Sequence, residues 1–198
     1  MTELIRPELK ASARSRMKGM LGFMIVSWII YAVILGAVGW TVIGALLLTG
    51  PLSLGLRGVF LKIFRSEEVS YNNLFDGFKS FLGSFLAFLL MSIYTVLWTL
   101  LLIVPGIIAA LRYSQTYYIL KDHPEMDGNS AIQASKKMME GHKGEYFVLC
   151  LSFLGWILLG IVTVGIGFLW IGPYMATTNA AYYEWLSSQA AREPATQV

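Results

Sequence analysis

Three stretches of this chain, Leu21 to Leu56, Phe81 to Leu111 and Tyr146 to Tyr183, contain no Asp, Glu, Lys or Arg. Each is longer than the roughly 20 residues that cross about 30 Å of hydrocarbon. A soluble domain can bury one such helix, but shielding three from water takes more polar structure than 198 residues hold. Composition agrees, since 14% of the residues are charged against about 25% in a soluble domain. The expected fold is all-α: a polytopic membrane helix bundle of six spans, with Pro/Gly-broken helices and short interfacial helices between them.

The first run has 36 residues and would extend about 54 Å as one helix, so it must turn. Gly39 to Thr41 is the best place, and the second span is expected to kink near Gly50 and Pro51. Pro105 and Gly106 end the third span, Gly165 and Gly167 loosen a later turn, and the last span is expected to break near Gly172 and Pro173. The spans fall at about 21–39, 42–64, 81–104, 106–120, 146–162 and 168–185, in one transmembrane domain over 21–186.

Residues 1–20 form a basic amphipathic cytoplasmic segment. Pro7 suits a first helical turn, with Leu9, Ala13, Met17 and Met20 on one stripe and Lys10, Arg14 and Lys18 on another. Such a helix either lies at the interface with its cations toward lipid headgroups or is a simple basic flank that sets orientation. The apolar stretch that follows runs past the 7 to 15 residues of a signal core without a small-x-small cleavage site before Gly36, so it reads as a retained span. Leu74, Phe75 and Phe78 make the apolar edge of a short interfacial helix. Asp127, Asn129 or Ser130 caps a helix reaching Glu140, with Ile132, Ser135 and Met139 on one side. Residues 187–198 read as a frayed polar tail.

A faint periodicity runs through the chain. TGPLSLGLRGVFLKIF at 49–64, VPGIIAALRYSQTYYIL at 104–120 and IGPYMATTNAAYYEWL at 171–186 each set a Pro beside a Gly ahead of a helix ending in aromatic and aliphatic residues. Three copies of a two-helix unit would produce it.

Six spans put the amino-terminal segment, 65–79, 121–145 and the carboxyl tail on one side, and leave the other side without a loop charge. Through Met20 there are five positive and two negative residues, which assigns the charged side to the cytoplasm. A rival arrangement of three long spans places 65–79 and 121–145 on opposite sides.

Arg57 and Arg112 are the charges nearest the apolar interior, where an ionisable group is a functional candidate by default. Each either snorkels to the interface or holds a lipid phosphate or another anion. Lys136, Lys137 and Lys143 cluster with His142 ahead of the fifth span, at a height where cations meet anionic headgroups. No Asp, Glu or His lies inside a span, which speaks against a proton-driven transporter. His123 and His142 stand apart in a charged loop and suggest neither a metal site nor acid–base chemistry. Cys150 has no partner for an intrachain disulfide and reads as a small buried hydrophobe. The positive residues are dispersed and carry no recognition motif, so nucleic acid is not an expected partner. No catalytic residue and no cofactor are expected.

The segments LFDGFK at 74–79, LWTLLLIVPGIIAALRYSQTYYIL at 97–120, AIQASKKMMEGHKGEYF at 131–147, LSFLGWILLG at 151–160 and TVGIGFLWIGPYMATTNAAYYEWL at 163–186 resemble the DUF975 family of bacterial integral membrane proteins, and ELKASARSRMKG at 8–19 looks like its opening. The charge asymmetry above places both termini in the cytoplasm, and the resemblance implies a protein of the bacterial cytoplasmic membrane without an established activity. It carries over no catalytic or binding residue. The expected role is a non-catalytic module that binds membrane lipids, anionic ones included, or a membrane-protein partner or second copy, in envelope homeostasis or export. The alternative is a small transporter or channel that works without a proton-relay carboxylate.

Overall fold

The computed structural model describes residues 5–39, 41–163 and 165–192. Among the described residues the fold is all-helical and contains no strand. Helix α1 (Ile5–Met17) meets α2 (Leu21–Val38) at 95°. After a turn at Gly39, α3 (Val42–Arg65) returns, followed by a 3₁₀ helix (Tyr71–Phe78) and by α4 (Phe81–Leu101). Then come α5 (Ile103–Tyr113), α6 (Thr116–Asp122), α7 (Gly128–Met138), α8 (Lys143–Leu151), α9 (Leu154–Val162) and α10 (Phe168–Arg192).

Three helices are long and apolar enough to cross a membrane: Ile43–Arg65, Phe81–Leu100 and Lys143–Val162, with a fourth if the bent pair Pro7–Met17 and Leu21–Ala37 is one span. This is fewer than the six drawn from the sequence, and the fourth expected span shows why. It divides at Ser114 and Gln115, leaving an 11-residue α5, about 16 Å at 1.5 Å per residue. In α6, Thr116 through Leu120 are buried within the protein. The break leaves backbone groups without helical partners, and α7 supplies them. The Ser135 hydroxyl donates to the Arg112 carbonyl at 2.7 Å and accepts from the Gln115 amide at 3.3 Å.

Other boundaries move for local reasons. The turn after α4 falls at Leu102, ahead of Pro105, because proline within the first helical turn costs no intrahelical hydrogen bond. Gly106 then lets α5 close on α4, since a β-carbon there would meet the Thr99 hydroxyl at 2.2 Å. The fifth expected span begins earlier, at Lys143, and is interrupted at Ser152 and Phe153 between α8 and α9. Helix α10 runs without a break in its assignment through Pro173 and on to Arg192, so the first half of the expected polar tail is helical. Residues 193–198 lie outside the described residues. The apolar stripe of α1 faces protein: Leu9, Ala13 and Met17 are buried in the main core with Phe60 of α3, Leu149 and Phe153 nearby, and Tyr182 of α10.

Two expectations hold closely. Asp127 caps α7, accepting from the Asn129 and Ser130 amides, and Ile132, Ser135 and Met139 are all fully buried. The 3₁₀ helix buries Leu74 and leaves Phe75 and Phe78 exposed. It lies against the middle of α3, where β-carbons at Gly55 and Gly77 would meet the carbonyls of Leu74 and Pro51 at 1.8 and 1.9 Å.

The charged segments collect at one end. Arg65 at the end of α3 grips Asp122 through two 2.7 Å hydrogen bonds and reaches Glu184 at 2.5 Å. Lys121 reaches Asp76 at 3.2 Å, and Arg16 bonds Ser66. The segment 65–79 and the start of 121–145 therefore meet through these contacts. The turns between paired helices carry the most exposed apolar side chains, among them Ile43, Leu100, Ile103, Val162 and Ile166, each more than 70% exposed.

Candidate functional site

Helices α2, α3 and α10 line a partly open cavity of about 330 Å³, which Ser114, Tyr118 and Tyr146 also border. Its wall is apolar where Trp28, Leu56, Phe60, Phe168 and Met175 meet it. Polar atoms interrupt that wall at Tyr31, Ser53, Tyr146 and Asn179, and one cation is present, Arg57.

Arg57 is half-buried on α3, six residues beyond Pro51. One guanidinium nitrogen donates to the Ser114 carbonyl at 3.0 Å. The group lies 4.8 Å from the ring centroid of Tyr117 and 5.8 Å from that of Tyr118, so aromatic faces compensate part of its lost hydration. Among the described residues no carboxylate comes within ion-pair distance of it. A guanidinium has five N–H donors in a planar fork, and only the one to Ser114 is used within the described protein. The contrast with Arg65 is direct. That guanidinium spends its fork on Asp122 and Glu184 and is a structural tie, whereas Arg57 keeps donors in hand beside an open volume.

Neighbouring polar groups are arranged in pairs. Tyr31 and Ser53 share a hydrogen bond at 3.1 Å, and Tyr146 donates to the Asn179 carbonyl oxygen at 3.3 Å. Tyr118 donates to the Ala176 backbone at 3.4 Å. The Asn179 amide nitrogen makes no hydrogen bond to a described residue and adds a second donor to the cavity. Charge-assisted donors with an amide and hydroxyls, set in an aromatic and aliphatic wall, suit the headgroup of an amphipathic anion.

Arg57 and Ser114 also border a second, more open groove of about 380 Å³ between α4 and α5, walled by Met91, Ser92, Thr95 and Tyr113. The guanidinium thus stands in the partition between two spaces.

The other four cations singled out in the sequence are not gathered here. Arg112 lines neither space, its guanidinium donates to no described residue, and its backbone carbonyl accepts from Ser135. Lys136 stands 5.7 Å from the ring centroids of both Tyr94 and Tyr113. Lys137 borders a separate depression with His142 and Gln189 at the charged end, and Lys143 begins α8. His142 contacts Glu145 at 3.3 Å and His123 contacts Glu125 at 3.3 Å. Among the described residues no group of three or more His, Cys, Asp or Glu is placed to hold a metal ion.

Sequence reading missed Tyr31, Ser53, Tyr146 and Asn179. One signal pointed toward two of them, because all three echoing proline segments reach the cavity. The first supplies Ser53, Leu56, Arg57 and Phe60, the second Ser114 and Tyr118, and the third Gly172, Met175, Ala176 and Asn179.

At the charged end, electrostatics serve cohesion. Burial opposes the charge on Asp76, yet hydrogen bonds from Lys79, Asn73 and Lys121 outweigh it and hold the carboxyl down at about 2. Burial likewise opposes ionised Asp122, and bonds from Arg65 and Tyr183 carry its pKa below the usual carboxylate value.

Comparison with curated proteins finds no match, and neither does comparison with solved structures. Residues 99–190, about half of the chain, match the model of a family described as protein of unknown function, DUF975. The chain belongs to the DUF975 family.

Proposed function

We propose that this chain is a non-catalytic, multi-pass protein of the bacterial cytoplasmic membrane that binds an amphipathic anion, with the anionic group on Arg57. The observation that carries this reading is the half-buried guanidinium facing a cavity with unused donors and no carboxylate partner among the described residues. Membrane residence is supported by the apolar helices and by the bare side chains around their turns. Leaving each such side chain in water forgoes about 1.5–3 kcal/mol. We read the topology as six apolar segments in three hairpins, α2–α3, α4–α5 and α9–α10, with both termini cytoplasmic. The meeting of all charged segments at one end supports it.

The test is native mass spectrometry of the purified protein titrated with anionic lipid. Arg57→Gln should weaken one of the resolved lipid-binding steps roughly tenfold or more, since a hydrogen bond to a charged group contributes about 1.5–3 kcal/mol. Arg57→Lys should restore part of it, as a point charge without the fork. Arg112→Gln should leave retention unchanged. Equal retention by wild type and Arg57→Gln would sink the reading.

A second reading, transport of an organic anion, is favoured by the position of Arg57 between the cavity and the more open groove. Saturable flux in proteoliposomes that disappears in Arg57→Gln would select it.

A further inference from the structure

We propose that the cleft between α1 and the α9–α10 hairpin binds one anionic glycerophospholipid from the surrounding bilayer, separately from the cavity at Arg57. The right-angled joint between α1 and α2 is its origin. Because the chain turns there, α1 lies across the side of the bundle with its apolar stripe buried, and its cationic side overhangs α9 and α10. The resulting cleft holds about 260 Å³.

The lining is divided by chemistry. Trp156 of α9, Trp170 and Tyr174 of α10, and Met17 and Leu21 at the joint make it apolar. Arg14 and Lys18 stand at its rim, both exposed, and no acidic residue lines it. The Arg14 guanidinium lies 5.9 Å from the Tyr174 ring centroid, a contact that leaves its N–H fork open. Among the described residues neither cation enters an ion pair.

Two cations over an indole-walled trough match the boundary of a phospholipid. The phosphate meets the guanidinium and ammonium, the glycerol region lies against the indoles, which favour that depth of a bilayer, and the acyl chains continue over apolar surface. That surface is present: Trp156, Leu158 and Leu159 of α9 and Leu169 and Trp170 of α10 are all exposed. Charge complementarity selects an anionic headgroup, because a zwitterion's own ammonium would meet Arg14 and Lys18.

The proposal rests on the chain residing in a membrane, and the test separates the two. Protein with Trp28→Phe, which removes the indole of the Arg57 cavity, is titrated in detergent with phosphatidylglycerol or phosphatidylcholine brominated on the acyl chains, and tryptophan fluorescence is followed. Phosphatidylglycerol should quench at lower concentration, and Trp156→Phe with Trp170→Phe should remove the difference. Arg14→Gln with Lys18→Gln should cost roughly thirtyfold of the preference, about fivefold per cation near an anionic headgroup. The charge-keeping pair Arg14→Lys with Lys18→Arg should retain it, and Arg57→Gln should leave it untouched. Equal quenching by both lipids, or an undiminished preference in the double glutamine variant, overturns the proposal and keeps the membrane reading. No quenching by either lipid overturns both.

Discussion

Arg57 and Arg112 look alike in the sequence, each following a leucine six or seven residues past a proline, and only the fold separates them. Depth along a helix can be counted from the chain, but which face meets an open volume depends on the azimuth of neighbouring helices, and no local pattern encodes that. The same limit hid Asn179 and Tyr146, whose pairing joins positions 33 residues apart. Asp76 gives a test at this scale. Its folded value of about 2 lies below the unfolded 3.8, so its contribution is complete above the unfolded value and is lost as pH falls through the range from about 4 to 2. Thermal unfolding of detergent-solubilised protein should steepen with acid over that range by about 2 kcal/mol. Asp76→Asn should flatten the dependence, whereas an unchanged profile would show that Lys121 and Lys79 do not stabilise the carboxylate.

Among the elements, helix starts and amphipathic faces were legible where a short-range rule governs them. Asp127 caps α7 because a carboxylate at that position reaches the amides two and three residues on. The α5–α6 break was not legible, because nothing in RYSQTYY forbids a continuous helix and the interruption is held from outside by Ser135. Ser135→Ala would leave the Arg112 carbonyl and Gln115 amide without that partner and should cost about 1–3 kcal/mol in stability, read as a lower melting temperature. Gly55→Ala and Gly77→Ala should each cost as much or more, because the new methyl meets backbone that cannot yield without lifting the 3₁₀ helix from α3. Melting within a degree of wild type in either variant would mean that this seam is looser than its spacing implies.

For the whole molecule, charge distribution along the chain was the most informative quantity. It separated apolar segments from polar ones and anticipated that 65–79 and 121–145 share an end, as the Arg65–Asp122 pair requires. It overstated the number of helices long enough to cross a bilayer, because counting uncharged residues does not distinguish exposed apolar side chains from those buried among other helices, as in α6. The hairpin topology predicts a labelling pattern. With Cys150→Ala as background, Glu68→Cys and Glu125→Cys should both resist an impermeant thiol reagent in intact cells and both react after permeabilisation. Labelling of one without the other would refute the shared side.

The Ser135 hydroxyl touches both sides of the α5–α6 break, and that break carries Ser114, whose carbonyl holds Arg57. A chain of three contacts therefore runs from α7, whose other face carries exposed Lys137 and Gln133, to the Arg57 wall of the cavity. Displacing α7 would therefore strain the turn at Ser114, whose carbonyl accepts from Arg57. The polar face of α7 and the Arg57 contact are thus tied through Ser135, and Ser135→Ala is expected to loosen the Arg57–Ser114 bond along with the break itself.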